Sequence, residues 1–238
     1  MAMNDGLQLT DPSDFGGTYV DNGHIVHYNV HIAGSAGGTI VDPGLPGRGL
    51  QLACVAEEDG ITQLIGPLAF EVDENAGYFL DCEVRAVTDA STAAALFIGF
   101  TDQNAAGEVP IEDEDGTLQT NATNAVGFMM EREQDATWQA VSVNADTDGA
   151  QTALTSANDI SNNVWQRLRL TNNNSDGDFT FEIWDIDSSE HYTYAGNGVL
   201  HTRSSAVATG TVLAPTFCLD SRNAVVAVQI RKLTAGTN

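Results

Sequence analysis

Acidic side chains at strand spacing are the first groups in this chain that could do chemistry. Two carboxylates facing each other across a cleft could act as general acid and as base or nucleophile in glycoside hydrolysis. Glu71 and Asp73 fall on one face of a predicted strand, but no third acid follows at the spacing such a site needs. Glu182 and Asp185 fall on opposite faces, because side chains alternate along a strand. The pairs therefore predict ordinary solvent-facing carboxylates, no catalytic residue and no enzyme.

Three polar loops offer the oxygen ligands that calcium prefers. Residues 144–149 and residues 172–177 match the start of a calcium-binding loop, with Asn or Asp at alternate positions before a glycine. Each lacks the bidentate acid at the twelfth position, which is Thr155 in the first loop and Ile183 in the second. A third loop, residues 112–116, is rich in Asp and Glu. Asp-Gly turn chemistry accounts for all three loops, so the sequence predicts no metal and no cofactor.

Three histidines near the N-terminus, His24, His27 and His31, are the other candidate metal ligands. His27 and His31 would share a strand face, but residues four apart on a strand are separated by about 13 Å, too far to hold one ion. The chain also shows no Ser-His-Asp spacing, no phosphate-binding loop and no Cys-x-x-Cys pair. The histidines are therefore not expected to form a metal site.

The net charge limits the partners that the chain can bind. Nine basic residues stand against 33 acidic ones, which gives a formal net charge of -24. Such a field repels phosphate backbones and anionic lipid headgroups. We therefore expect this acidic protein to bind neither nucleic acid nor membrane surfaces.

Cysteine usage and the N-terminus indicate the compartment in which the chain is made. Cys54, Cys82 and Cys218 are odd in number and have no motif spacing, which predicts buried free thiols in a reducing cytosol. The first residues have neither a basic segment nor an apolar one, so no signal peptide is expected.

Residues 164–187 are the clearest structural element in the sequence. Apolar and polar side chains alternate in residues 164–170 and again in residues 179–184, on either side of a polar centre. Within that centre, Asp176-Gly177 supplies the positive φ angles that a tight turn requires. The pattern predicts a β-hairpin.

Similar short runs between Asp-Gly turns continue from Leu50 to Leu233, without an amphipathic helix. This rhythm predicts an all-β chain folded as an antiparallel β-sandwich or jelly roll. Residues 1–47 are predicted to form an extended N-terminal arm with one strand, residues 24–32, and a glycine- and proline-rich connector. Residues 48–238 are predicted to form the sandwich. Deleting residues 1–20 would then leave the melting temperature nearly unchanged.

The order of these segments resembles the concanavalin A-like, laminin-G-like jelly roll. The resemblance covers roughly residues 48–233, and its pieces are the segments FLDCEVR, LFIGFTD, GFMMERE, WQRLRL, FTFEIWD and VAVQIRKL. A narrower resemblance, carried by EVR, IGFTD and W-x-R-L-R, is to virion proteins of tailed viruses. This resemblance implies a structural role on the particle surface and no catalytic residue.

Three functions follow as hypotheses. The first is a capsid decoration, or cement, protein on the head of a bacteriophage or other tailed virus. It would be made in the host cytoplasm, act as a homotrimer on the outer surface of the virion, and have the major capsid protein as its partner. The alternative is a glycan-binding module, either lectin-like or a receptor-binding fibre. The lower alternative is a carbohydrate-active enzyme.

A small set of aromatic and basic residues could form a glycan groove or an interface. Tryptophan rings stack on sugar rings, and arginines bond to hydroxyl groups, although at least one tryptophan is expected in the core. Arg167 and Arg169 also belong to an expected cross-strand ladder of charges with Glu83, Arg85, Glu131 and Glu182. The possible contact residues are Trp138, Trp165, Trp184, Arg167 and Arg169.

Overall fold

Short strands of alternating apolar and polar residues make up the chain wherever its structure is described. The computed structural model describes residues 7–9, 18–21, 24–27, 29–32, 39–41, 50–56, 60–66, 68–72, 77–87, 94–103, 108–114, 117–131, 135–149, 151–154, 164–173, 177–186, 192–222 and 224–237. All regular elements in these ranges are strands, and none of the described residues lies in a helix that is long and apolar enough to cross a membrane.

The strands in chain order are β1 (Leu7–Leu9), β2 (Thr18–Asp21), β3 (His24–His27), β4 (Asn29–Ile32), β5 (Thr39–Val41), β6 (Leu50–Cys54), β7 (Gly60–Ile65), β8 (Phe70–Glu71), β9 (Tyr78–Ala86), β10 (Ala94–Thr101), β11 (Ile111–Glu114), β12 (Thr117–Thr120), β13 (Ala125–Glu131), β14 (Asp135–Asn144), β15 (Thr147–Asp148), β16 (Thr152–Ala153), β17 (Trp165–Asn172), β18 (Phe179–Ile186), β19 (Tyr192–Arg203), β20 (Val212–Ser221) and β21 (Val226–Thr237).

The predicted hairpin of residues 164–187 is confirmed as β17 and β18. These strands pair antiparallel along their whole length, with Leu168 opposite Ile183 and Leu170 opposite Phe181. Gly177 has a φ of 72° in the turn, a conformation that glycine adopts without strain. The period-two alternation places the leucines of β17 and the phenylalanines of β18 on one face, and the arginines with Trp165 and Trp184 on the other.

This hairpin lies toward one edge of an eight-stranded antiparallel sheet. The strand order is β19-β18-β17-β9-β21-β6-β5, and β1 also pairs with β21. A second sheet of nine strands has the order β15-β14-β13-β10-β20-β7-β4, with β16 on β14 and β8 on β20. In the described part of the chain, β11–β12 and β2–β3 form two separate two-stranded sheets.

The two large sheets pack face to face around one apolar core. Residues from both sheets, such as Leu80 and Leu168 from the first and Phe100 and Phe128 from the second, are fully buried in it. Edge-to-face ring contacts cross the interface, including Phe128 with Phe181 at 5.2 Å between centroids. The predicted class, an all-β antiparallel sandwich, is confirmed.

A second apolar cluster covers the outer face of the nine-stranded sheet. Phe97, Met129 and Val141 from that sheet pack with Ile111 of β11, and Leu118 of β12 lies against them. The sequence predicted only an acidic loop here, residues 112–116. The structure places the β11–β12 hairpin there, because its few apolar side chains lie against the sheet.

The N-terminal segment contributes more strands than the sequence predicted. Residues 1–47 contain β1 to β5 instead of one strand, and β1, β4 and β5 add to the two large sheets. The predicted strand of residues 24–32 is divided between β3, which pairs with β2, and β4, which pairs with β7. A division of the chain at residue 47 stays a prediction.

Pairing of β1 changes the expectation for an N-terminal deletion. Leu7–Leu9 pairs with β21 from Leu233 to Ala235, just beyond the part of β21 that pairs with β6. We expect deletion of residues 1–20 to lower the melting temperature, because it removes this ladder of backbone hydrogen bonds. A thermal melt followed by circular dichroism tests this, and an unchanged melting temperature would restore the original expectation of a dispensable arm.

Candidate functional site

Four of the predicted contact residues lie together on the outer face of the eight-stranded sheet. Arg167 is the register partner of Trp184, and Arg169 is the partner of Glu182, which places these side chains side by side. Trp165 lies on the same face at the start of β17. The structure therefore brings together the tryptophan and arginine residues that the sequence singled out on β17 and β18.

Guanidinium groups cover the aromatic rings on this face. Arg85 and Arg231 each lie 4.7 Å from the centroid of the Trp165 ring. Arg167 lies 4.9 Å from the centroid of the Trp184 ring. Cation–π contacts of this kind fix both partners. The rings consequently serve as supports for arginines and do not present open stacking surfaces.

Carboxylates from neighbouring strands hold the same arginines. The Arg167 guanidinium donates two hydrogen bonds to the Asp81 carboxylate, and Arg231 donates to Glu83. Five of the six residues of the predicted charge ladder lie on this sheet, where Arg167 is the register partner of Glu83 and Arg169 is the register partner of Glu182. Glu131 is the exception, because β13 belongs to the other sheet and its carboxylate accepts from Arg222.

Trp138 does not belong to this surface. Its side chain is fully buried in the core between the sheets, and its indole N–H donates to Gln166 Oε1 at 3.1 Å. The inclusion of Trp138 among the possible contact residues is corrected, because β14 directs this residue toward the opposite sheet. One tryptophan was expected in the core, and it is this one.

The candidate catalytic acids are not brought together. Glu71 is exposed on β8, and Asp73 lies outside the described residues. Asp185 faces inward, where its carboxylate accepts from Gln166 Nε2, while Glu182 lies on the outer face.

The candidate metal ligands likewise do not converge where the chain is described. No group of three His, Cys, Asp or Glu side chains in the described ranges is arranged to hold a metal ion. Residues 174–176 of the second predicted calcium loop and Asp115 of the acidic loop lie outside those ranges. The three cysteines are buried free thiols, as predicted.

The first predicted calcium loop, residues 144–149, instead forms a tight turn at the mouth of a pocket. This pocket has a volume of about 660 Å³ and opens between β14–β15 of the nine-stranded sheet and the turn that follows β19 of the other sheet. Most residues in its wall carry hydroxyl, amide, carboxylate or guanidinium groups. They are Ser142, Asn144, Thr147, Asp148, Thr152, Arg203, Ser204 and Ser205, with Ala145 and Gly149 between them.

Arg203 crosses from one sheet to the other and forms the base of the pocket. Its Nη1 donates to Ser142 Oγ, and its Nη2 donates to Ala140 O and Thr152 Oγ1, each at 3.0 Å. Burial lowers the pKa of the Arg203 guanidinium from its ordinary value, yet an arginine remains charged at neutral pH. Arg203 thus supplies a fixed positive group in the pocket wall.

Backbone strain is concentrated at the same place. Among the described residues, the non-glycine positions with positive φ are Ala145 at 48°, Asp146 at 61° and Ser205 at 50°, on the two turns of the pocket. Non-glycine residues in this conformation carry a free-energy cost, and such strain clusters at functional sites. Ala145 and Asp146 form the two-residue loop of the β14–β15 hairpin, a turn that requires positive φ, so the strain shows how one turn of the pocket is built.

Buried Asn124 keeps these turns in place. Its Oδ1 accepts from the backbone N–H of Ala145 at 3.1 Å and from that of Ala208 at 3.0 Å. Asn144 Nδ2 also donates to Ser205 O at 2.8 Å, which joins the two turns directly. The pocket is therefore preorganised by hydrogen bonds between elements from both sheets.

The sequence identified one wall of this pocket and missed the other. The sequence singled out residues 144–149 as a candidate calcium-binding loop. In the structure the same loop lines the pocket instead. Arg203, Ser142 and Thr152 gave no local signal, because only the tertiary fold brings them together.

Comparison with solved structures identifies the fold. The carbohydrate recognition domain of Emp47p matches with a TM-score of 0.57 and 11% identity, over 97% of this chain and 95% of that one. Peanut lectin in complex with a nine-residue peptide matches with a TM-score of 0.52 and 8% identity, over 100% and 99%. Lectin UEA-II with galactose matches with a TM-score of 0.50 and 10% identity, over 99% of each chain.

These likenesses define the class of fold: the chain is a jelly-roll β-sandwich of the concanavalin A and legume-lectin kind, as predicted. Identities of this size show the fold alone. No protein-family model matches the chain, and no curated protein matches it in sequence. The three structures give no link to a virus particle.

Proposed function

We propose that this protein is a glycan-binding, lectin-like module and that the pocket around Arg203 is its binding site. The observation that carries the proposal is the wall of that pocket, in which eight of the ten residues have a side chain that can form hydrogen bonds, on preorganised turns. Fold alone assigns no function. Structural neighbours titled as carbohydrate recognition domains or lectins support the proposal, because they share the scaffold that holds this site.

Chemistry of the wall suits a sugar. A pyranose presents several hydroxyl groups that both donate and accept hydrogen bonds, beside the apolar C–H faces of its ring. Arg203 and the Asn144 amide can donate to sugar oxygens, while Asp148 accepts from hydroxyl groups. Net charge makes a neutral glycan a better partner than a polyanion.

A glycan array followed by calorimetry on the full chain tests the site. We expect Asn144→Ala to weaken binding about tenfold, since one hydrogen bond contributes roughly 1 kcal/mol and its partner is left unpaired. Asn173→Ala is the matched control: this exposed asparagine also donates from its amide, to Thr180 Oγ1 at 2.6 Å, but lies outside the pocket. It should bind like the wild type.

A third variant separates the pocket from the outer sheet face. Trp165→Ala removes the ring that Arg85 and Arg231 cover and leaves the pocket intact. We expect its glycan affinity to be unchanged. Loss of binding in Trp165→Ala but not in Asn144→Ala would move the site to the outer face, and no binding to any glycan would refute the proposal.

The decoration role stays a prediction from the resemblance to virion proteins. So do its associated features, namely the major capsid protein as partner, the homotrimer and the outer surface of the virion as location. A glycan-binding protein could also belong to a receptor-binding fibre, which a binding assay on purified virions would test.

A further inference from the structure

Arg222 lies at the centre of three carboxylates on the nine-stranded sheet. Its guanidinium donates to Asp220 at 2.6 Å, to Glu112 at 2.7 Å and to Glu131 at 3.1 Å. These acids come from β20, β11 and β13, so the Arg222 cluster joins the sheet to the β11–β12 hairpin above it. Asp220 and Glu131 are each 1% exposed.

One positive group cannot balance three negative groups in this buried place. With all of them ionised, the Arg222 cluster carries a net charge of two negative units, and buried like charges repel. Glu131 is one carboxylate on which the excess falls: its side chain is 1% exposed, and its Oε1 has no hydrogen-bond partner in the described structure. Burial raises the pKa of the Glu131 carboxyl to about 7, against the opposing effect of Arg222, and Asp220 and Glu112 add to the rise.

The β11 strand, which packs near Glu131, carries one further buried carboxylate, Asp113, with 5% exposure. Ala95 stands opposite Glu131 on β10 and brings no charge. Arg222 is therefore the positive group that the described neighbours direct at Glu131.

The β11–β12 hairpin connects this cluster with the pocket. Glu112 pairs in register with Gln119 of β12, and the adjacent Thr120 donates from its hydroxyl to Asp148 Oδ1 in the pocket wall at 2.9 Å. Just beyond β12, Thr123 O accepts from the backbone N–H of Asp146 at 3.0 Å. A shift of the hairpin would therefore strain or break these hydrogen bonds and displace the turn that carries Asn144 and Asp148.

We propose that the Arg222 cluster is a pH-sensitive latch: a proton held among its carboxylates keeps the β11–β12 hairpin on the sheet, and loss of that proton loosens both the hairpin and the adjoining pocket wall. The latch stands on the geometry of the cluster. Its consequence, tighter glycan binding in mild acid than above neutral pH, rests on the proposed function.

The direction of the effect follows from proton linkage. The closed hairpin holds the Glu131 proton up to about pH 7, while an open one releases it near the ordinary value of 4.5. Between these values the opening equilibrium constant rises by up to about tenfold per pH unit, and above them it levels off. Acid therefore stabilises the closed hairpin, and the effect is lost as the pH rises.

Hydrogen exchange on the unliganded chain tests the latch without a glycan. After correction for intrinsic rates, we expect amides of residues 111–120 and 144–149 to exchange progressively faster from pH 5 to pH 7, by at least about tenfold overall. Glu131→Gln cannot titrate and should remove this pH dependence. Glu71→Gln, an exposed glutamate on β8, is the matched control and should behave like the wild type.

Glu112→Gln gives a second test should Glu131→Gln fail to fold. It removes one of the two negative charges that add to the rise in the pKa of Glu131, at a side chain that is 18% exposed, and it leaves Glu131 buried. The total increase in hairpin exchange from pH 5 to pH 7 should therefore be smaller than in the wild type. Flat exchange in the wild type, pH dependence that survives in Glu131→Gln, or an increase in Glu112→Gln as large as in the wild type overturns the latch. An intact latch in a chain that binds no glycan would refute the proposed function alone.

Discussion

Replacing Trp138 with alanine is expected to lower the free energy of unfolding by about 3–5 kcal/mol, as for other large-to-small substitutions in a core. The side chain is fully buried and packs edge-to-face on Phe128, with ring centroids 6.3 Å apart. The variant would also leave Gln166 Oε1 without its indole donor. Urea denaturation followed by circular dichroism measures the change.

Trp165→Ala is the natural comparison, because it removes the same side chain from a half-buried position on the outer face. This variant mainly loses two cation–π contacts, with Arg85 and Arg231, and each contact contributes roughly 0.5–1 kcal/mol to stability. We expect Trp165→Ala to cost less than half as much as Trp138→Ala. Equal costs would mean that the outer face is packed as tightly as the core, which contradicts the assignment of Trp138 alone to the interior.

Gly99→Ala should strongly destabilise the sandwich. Gly99 and Gly127 are register partners on β10 and β13, and a Cβ built on Gly99 would lie 2.2 Å from Val126 O and 2.6 Å from Gly127 Cα. Both atoms belong to the backbone, so the central strands would have to separate. We expect a loss of about 3 kcal/mol, the upper part of the range for overpacking, measured by the same denaturation.

Gly210→Ala isolates the conformational part of this effect. Gly210 has a φ of 74°, and a Cβ there would meet nothing within 4 Å. Its cost should be limited to the left-handed backbone, about 1–2 kcal/mol. If Gly210→Ala destabilised the chain more than Gly99→Ala does, close approach of β10 and β13 would not be the reason for the glycine pair.

Local patterns in the sequence were sufficient for the hairpin of residues 164–187 and for the fold class, but not for β1–β5 or for the β11–β12 hairpin. In residues 164–187, alternation alone placed Leu168 and Leu170 on one face and Arg167 and Arg169 on the other, because successive side chains on a strand point in opposite directions. Gly177 marked the turn for an equally local reason, its freedom to adopt positive φ. Such features depend only on residues that are close in the chain, so they can be predicted without knowledge of the fold.

The same patterns could not separate the three tryptophans. Trp138, Trp165 and Trp184 all lie on strands, but alternation states only that two faces differ, not which of them meets the other sheet. Pairing of β14 into the nine-stranded sheet turned Trp138 inward, and pairing of β17 with β9 and β18 turned Trp165 outward. Which tryptophan lies in the core is determined by the free energy gained when the apolar faces of the two sheets are buried against each other.

Tertiary structure alone decided the candidate site and the latch. Arg203 and Ser142 are separated by 61 positions in the chain, and Arg222 and Glu131 by 91, yet each pair shares a hydrogen bond. No local propensity encodes such contacts, because their loop-closure entropy is offset only when the intervening strands have paired and packed. The chain thus specified its strands by local alternation, and the pairing of those strands specified where its chemistry lies.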